Sequence, residues 1–295
     1  MPKVKANNIE IEYDTFGDPS SKPLLLIMGI RAQMIRWEKE FCEKFVEKGF
    51  YVIRFDNRDV GLSTKFDEAG EPDIMKLYMK LAKGERIESV YTLNDMADDA
   101  AGLLSALGID KAHICGASMG GAIAQIFAYR HPSRILSLTS IMSSTGNPDL
   151  PGPKPEVLKL LNLPTPTTRE AIIEDRVTRL RIYHGPCFPF DEEKWREFAT
   201  ISYERSHYPP GYSRQFVAIR ATGNIRPNVS SINVPTLVIH GSEDPLVPVE
   251  GGKDTAEAIP GAELLIIEGM GHNLHIEVWP QVVDAIAKNA SKAYL

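Results

Sequence analysis

Residues Gly116-Ala117-Ser118-Met119-Gly120 spell Gly-x-Ser-x-Gly, set between an apolar, partly β-branched run and a run of small, helix-compatible residues. A serine at a sharp turn from buried strand into helix is held in an unfavourable backbone conformation, which only tiny flanking residues permit. Its Oγ then stands exposed at a helix N-terminus, where N–H groups favour developing negative charge. Such a hydroxyl can attack a carbonyl if a base takes its proton and an acid orients the base. A purely structural strand-to-helix turn has the same composition, so the partners must be found elsewhere in the chain.

In an open parallel sheet, active groups collect at the carboxyl ends of strands. A strand is predicted at Glu263 to Ile267, followed by Glu268-Gly269-Met270-Gly271-His272. Two glycines before the histidine suggest a loop shaped to present its imidazole as the base. The strand ending at His240 is followed by Gly241-Ser242-Glu243-Asp244-Pro245, which makes Asp244 the candidate acid. Glu243 should point elsewhere in an extended segment, and Asp149, after the preceding strand, is the fallback. The order Ser118, Asp244, His272 is the one expected with this nucleophile turn. The oxyanion hole needs two backbone donors, one from Met119 and one from Ile30 in the turn after Leu24 to Met28. Gly29 occupies the same turn, and side-chain identity cannot decide between a Gly29 and an Ile30 donor. His275 completes a His-x-x-His pair with His272, but two ligands without a third make a poor metal site. His275 is therefore read as structural or pocket-lining and His240 as structural, and neither a metal nor an organic cofactor is expected.

The elements that must position these groups follow from hydrophobic periodicity. Val4 to Phe16 alternates and reads as edge strands or a hairpin. Pro23 to Met28 and Tyr51 to Phe55 read as fully buried strands. Trp37, Phe41 and Phe45 recur every fourth residue, the stripe of a helix closing at Gly49. Thr92, with Asp95 three residues on, caps a helix running to Gly108. The strand and helix around Ser118 follow, the helix ending at His131-Pro132, and then a strand at Ile135 to Met142. Alternating strands and helices with short links predict an α/β fold: a mostly parallel sheet with helices on both faces.

That alternation breaks from about Asn147 to Ser230. Prolines 148, 151, 153, 155, 164 and 166 crowd its start. Helices are predicted at Thr168 to Tyr183, Asp191 to His207 and Tyr212 to Thr222. Residues 147–230 thus read as an inserted helical cap, with 1–146 and 231–295 forming the core. The core resumes with a strand at Thr236 to His240, a helix at Val249 to Ile259 and a closing helix at Val278 to Ala293. Aromatics of the cap, Trp195, Phe188, Phe190, Tyr203, Tyr208, Tyr212 and Phe216, could line an apolar pocket. Trp195 and Gly29 are taken as substrate-binding.

A net charge of −6 with interspersed acids and bases argues against nucleic-acid and anionic-membrane partners. The start of the chain carries no apolar signal region, and the longest apolar runs are too short to span a bilayer. Three scattered cysteines, 42, 115 and 187, suit a reducing cytoplasm better than a disulfide framework. The expected partner is a small-molecule ester; a homodimer stays open.

These segments together resemble the α/β-hydrolase superfamily over nearly the whole chain. Gly116 to Gly121 looks like its nucleophile elbow, and Asp56-Asn57-Arg58-Asp59-Val60-Gly61-Leu62-Ser63 like the turn after an early strand, departing from the usual glycine at Asp59. Pro235 to Gly241 with Asp244 to Pro248 resembles the acid strand and loop, and Gly269 to His272 the histidine loop. Met28-Gly29 stands where His-Gly is common, and is similar to the anthracycline (aclacinomycin) methylesterase branch. The resemblance implies a serine carboxylesterase. Arg58 and Asp59 are expected to hold their turn together. Ser118 disfavours the dehalogenases and epoxide hydrolases, which carry aspartate there. Proline iminopeptidases, cofactor-free perhydrolases and a non-enzymatic ligand receptor on this fold are the alternatives.

Overall fold

The computed structural model describes residues 1–161, 163 and 166–294; Pro164 lies outside them. The core is an eight-stranded sheet. β1 (Lys3–Ala6) and β2 (Ile9–Phe16) form the predicted hairpin, turning at Asn7 and Asn8 with φ of 45° and 64°. Two positive φ angles at a two-residue turn match the twist of the strands it joins. β3 (Lys22–Ile27), α1 (Lys39–Glu47), β4 (Phe50–Phe55), α2 (Ile74–Ala82), α3 (Leu93–Ala106), β5 (Ala112–Ala117), α4 (Met119–Arg130) and β6 (Ile135–Ile141) follow. After β6 come α5 (Pro155–Leu161), α6 (Arg169–His184), α7 (Glu192–Arg205), α8 (Pro209–Thr222) and α9 (Arg226–Val229). The chain closes with β7 (Thr236–Gly241), α10 (Glu250–Ala258), β8 (Glu263–Ile267) and α11 (Trp279–Ser291).

The strand order is β1-β2-β4-β3-β5-β6-β7-β8, with β1 and β2 antiparallel and the other six parallel. Alternate residues of β3 serve opposite faces. Leu25 and Ile27 pack with α3 and α4, while Leu24 and Leu26 pack with α1 and α11. A strand buried on both faces has to be apolar throughout, which is why its sequence reads as an unbroken run. Parallel pairing of β3, β5, β7 and β8 brings the loops that follow them to one edge of the sheet.

Boundaries differ from expectation in instructive ways. The Trp37 stripe is a real packing unit, but α1 begins only at Lys39; Trp37 stands in the turn before it and stacks on Phe41. α8 starts at Pro209 rather than Tyr212, since proline at a first helical turn forfeits no hydrogen bond. α5 likewise begins on Pro155, inside a stretch that reads as proline-broken. α2 lies in a stretch for which no helix is predicted; Ile74, Leu77, Tyr78 and Leu81 recur at helical spacing along it, yet of these only Leu77 is buried. Thr92 and Asp95 do form the capping box.

Candidate active site

Ser118 has φ 57° and ψ −124°, a region that non-glycine residues rarely occupy. Its neighbours permit this by having no side chains. A Cβ on Gly116 would run into the Gly120 carbonyl, and one on Gly120 into the carbonyl of Ile27 in β3. Helix α4 therefore crosses the sheet closely enough to present Oγ at its own N-terminus. His272 arrives on the loop after β8, and Asp244 on the loop after β7. The Ser118 hydroxyl donates to His272 Nε2 at 3.0 Å. His272 Nδ1–H donates to Asp244 Oδ2 at 2.6 Å; a carboxylate only accepts, so the proton belongs on that nitrogen.

Asp244 is 1% exposed. Its Oδ1 accepts the N–H groups of Leu246 and Val247 at 2.9 and 2.8 Å, and His240 Nε2 lies 3.5 Å from its Oδ2. Burial opposes ionisation, yet the His272 charge and the two histidine contacts outweigh it and hold the carboxyl at about 2. Asp244 is thus a fixed anion whose orientation is set by four separate groups. His240 also donates to the Val247 carbonyl at 2.8 Å, which shapes the same loop. The fallback acid, Asp149, sits exposed in a turn with its N–H bonded to Asn147.

On the other side of Oγ, Ile30 and Met119 border a cavity of about 150 Å³ together with Ser118. Among the described residues no acceptor takes the N–H of Ile30 or Met119. The Arg31 N–H is committed to Gln215 Oε1 at 2.8 Å, and that of Ala32 to the Gly29 carbonyl. Gly29 packs under the nucleophile instead of lining the cavity: a Cβ there would stand 3.0 Å from Ser118 Cβ. Gln215, fully buried, also donates to the Arg58 carbonyl at 2.9 Å, and so ties α8, the Asp56 turn and the Ile30 loop together. Nothing in its sequence context marked Gln215. The Asp56 turn adds two supports: Asn57 Nδ2 donates to the Met28 carbonyl, and Asp56 Oδ1 accepts the Met34 N–H.

Asp59 Oδ1 accepts the Phe66 N–H at 2.9 Å within the turn, but the main partners of Arg58 and Asp59 lie outside it. Arg58 is bidentate on buried Asp99, at 2.6 and 2.7 Å. Asp59 takes two bonds from Arg214 of α8, at 2.8 and 2.9 Å, and one from the Tyr91 hydroxyl. The turn is a junction between core and inserted segment, which one-dimensional spacing could not reveal.

The cavity walls are chiefly aliphatic, from Leu93, Ala122, Ile219, Ile225 and Val247, with Thr145 and Thr222 at their edge. None of the seven aromatics read as pocket candidates is among them. Trp195 is buried among Phe190, Phe198 and the Arg36 guanidinium, 4.3 Å from its ring. Aromatics on short helices bury most area against one another, so Trp195 belongs to internal packing rather than the cavity. His275 stacks on Phe188 and meets His184 edge-on, and among the described residues neither of its ring nitrogens has a hydrogen-bond partner. It is structural, and no metal-holding cluster occurs among the described residues.

The inserted segment also grips the histidine loop. His272 N–H donates to the Tyr183 carbonyl at 2.6 Å and Gly271 N–H to that of His184 at 3.2 Å. The Tyr183 ring meets the His272 imidazole edge-on at 6.3 Å.

The α/β-hydrolase fold family model matches residues 22–277. The chain belongs to this family. It is similar to the rhodomycin D methylesterases DauP of Streptomyces sp. strain C5, 29% identical over 98% of both chains, and DnrP of Streptomyces peucetius, 28% identical over 99% of both. The resemblance drawn from Met28-Gly29 to the anthracycline methylesterase-like branch is thereby supported along the whole chain. Among solved structures, a mutant of the meta-cleavage product hydrolase CumD of Pseudomonas fluorescens IP01, complexed with acetates, superposes with a TM-score of 0.76. At 22% identity over 99% of this chain and 98% of that one, it carries the fold alone. No helix among the described residues is long and apolar enough to cross a membrane.

Proposed function

We propose that this protein is a serine carboxylesterase that cleaves small to medium esters, methyl esters among them, through an acyl-enzyme. The observation that carries the reading is the hydrogen-bonded line from Ser118 through His272 to Asp244. Its similarity to the methylesterases DauP and DnrP supports the choice of ester as substrate class.

In this mechanism Ser118 Oγ attacks the ester carbonyl while His272 Nε2 takes its proton. Asp244 holds the imidazole tautomer and balances the imidazolium. The carbonyl oxygen, now an oxyanion, accepts from the N–H groups of Met119 and Ile30, each worth roughly 10² to 10³ in rate. Collapse expels the alcohol, protonated by His272, and leaves Ser118 acylated. Water then attacks, His272 taking its proton in turn, and the carboxylic acid departs with Ser118 restored. A cavity of about 150 Å³ admits an apolar group near the size of benzene on one side of the scissile bond.

The test is a panel of methyl, short-chain, aryl and lactone esters on wild type, Ser118→Ala, His272→Ala and Asp244→Ala. Ser118→Ala and His272→Ala lose at least about a thousandfold in kcat while remaining folded, and Asp244→Ala somewhat less. Steady turnover after a burst from a p-nitrophenyl ester separates an esterase from a receptor on this fold. Peracid formation from a carboxylic acid and peroxide marks a perhydrolase. Full activity in Ser118→Ala, or no ester turnover by wild type, removes the reading.

A further inference from the structure

The cavity touches only part of the machinery around Ser118. Ser118, Ile30 and Met119 border it, whereas His272, whose Nε2 accepts from Ser118 Oγ at 3.0 Å, does not. Met119 and Ala122 stand three residues apart on α4, and Ile219 and Thr222 three apart on α8, so each pair shares one helix face. The cavity lies between those two faces, and its walls are held by the protein's own bonds. Thr222 Oγ1 accepts the Leu93 N–H at 2.9 Å and donates to the Ala218 carbonyl at 2.8 Å. Thr145 Oγ1 donates to Asp254 Oδ2 at 2.8 Å, and the Ile225 N–H donates to the Thr145 carbonyl at 2.8 Å. Both threonine hydroxyls are thus committed within the protein, while Ala122 and Ile219 offer only carbon.

The carbon under attack carries Ser118 Oγ, the oxyanion, the alcohol oxygen and the acyl chain. The alcohol oxygen has to come within hydrogen-bond reach of His272 Nε2, which protonates it as it leaves. The oxyanion faces the donors of Ile30 and Met119. The acyl chain is left on the side away from the base. A cavity that borders the nucleophile and both donors but not the base therefore stands on the acyl side of the scissile bond. Its volume of about 150 Å³ matches a cavity that takes benzene, which is room for about six carbons.

We infer that this cavity is the acyl pocket, that Ala122 and Ile219 set the longest chain it accepts, and that esters of monocarboxylic acids up to about hexanoate or benzoate in size are the favoured class. The inference deepens the esterase reading and rests on it for turnover. The experiment runs two series on wild type, Ala122→Leu and Ile219→Ala: p-nitrophenyl esters from acetate to decanoate, and butyrate esters from methyl to hexyl. Melting temperatures check folding.

In wild type kcat/KM climbs roughly threefold per acyl carbon to an optimum near hexanoate, then falls at least about tenfold by decanoate. The alcohol series stays within about threefold, since that side lies outside the cavity. Ala122→Leu moves the acyl optimum down by about two carbons and Ile219→Ala moves it up by about two, the surroundings absorbing part of each change. Opposite shifts from opposite changes in volume cannot come from general damage. Calorimetry with propyl-, pentyl- and octylboronic acids reads the same pocket without turnover: Ser118 Oγ adds to boron, its proton passes to His272, and the alkyl group takes the acyl place. A boronate length optimum moved by the two variants, with no ester hydrolysed, sinks the esterase reading and keeps this one. An acyl optimum that neither variant moves, boronate binding indifferent to chain length, or a dependence on alcohol length in place of acyl length overturns it.

Discussion

Replacing Ser118 by glycine should stabilise the protein relative to replacing it by alanine, although both variants are inactive. Both lose the hydroxyl and its bond to His272, so the pair isolates the backbone. At φ 57° and ψ −124° any residue with a Cβ is strained, at a cost of about 1–3 kcal/mol. Glycine removes that strain but restores roughly 0.5–1 kcal/mol of unfolded-chain freedom. The net advantage of Ser118→Gly over Ser118→Ala is therefore about 0–2.5 kcal/mol, centred near 1 kcal/mol. For a domain of this size 1 kcal/mol is a melting shift of roughly 2 °C. Equilibrium urea unfolding with matched slopes gives the free-energy difference directly. A Ser118→Gly protein less stable than Ser118→Ala refutes the claim that the backbone at residue 118 is strained.

Three more outcomes follow from the same contacts. Arg214→Met strands the fully buried Asp59 carboxylate and should cost about 3–5 kcal/mol, read by urea unfolding; Asp59→Asn in the same chain should recover a large part. His113 and His275 are both buried and held down to about 4, by burial first and then by Lys22 and His184 respectively. A histidine with a lowered folded pKa stays neutral while the unfolded chain takes up a proton. Its contribution is whole above about 6.5 and is lost as pH falls from there to about 4, by roughly 3 kcal/mol each. His275→Leu should flatten the stability slope near pH 5.5 by about 1.4 kcal/mol per pH unit, and an unchanged slope counts against a neutral buried ring. Gly271→Ala places a Cβ against the Tyr183 carbonyl and should shift the His272 loop, lowering kcat by about a hundredfold with KM nearly constant.

The loops that carry Ser118, Asp244 and His272 were legible because each follows a strand, and β5 and β7, buried along their whole length, announce themselves as largely apolar runs. Leu24 to Ile27, Ala112 to Ala117 and Thr236 to Gly241 are such runs, and parallel pairing then brings their carboxyl ends to one edge of the sheet. Glycine at 116 and 120 carried a steric meaning that the close crossing of α4 bears out. What escaped were pairings between distant polar residues. Arg214 reaches Asp59 across 155 positions, and Gln215 reaches Arg31 across 184. No period links such partners; only the docking of α8 on the core does. The aromatics misled for a related reason. Trp195 and Phe190 have the composition of a pocket wall, but on a small helical segment their largest gain is contact with each other.

That docking changes what the inserted segment is for. The end of α6 does not hover over the site: its last carbonyls, on Tyr183 and His184, hold the N–H groups of His272 and Gly271. Gly185 and Gly271 lack side chains where the two loops touch, and a Cβ on either would push them apart. Swinging this end away would break two hydrogen bonds and free the imidazole from the line joining Asp244 to Ser118. The Arg214–Asp59 pair and the two Gln215 bonds fasten α8 in the same way, between the oxyanion loop and the Asp56 turn. The His272 loop and the Ile30 loop are thus both held by residues of the segment between β6 and β7. Substrate entry by whole-segment opening would dismantle the machinery it serves. The segment between β6 and β7 is thus fastened to the core at two loops, after β3 and after β8.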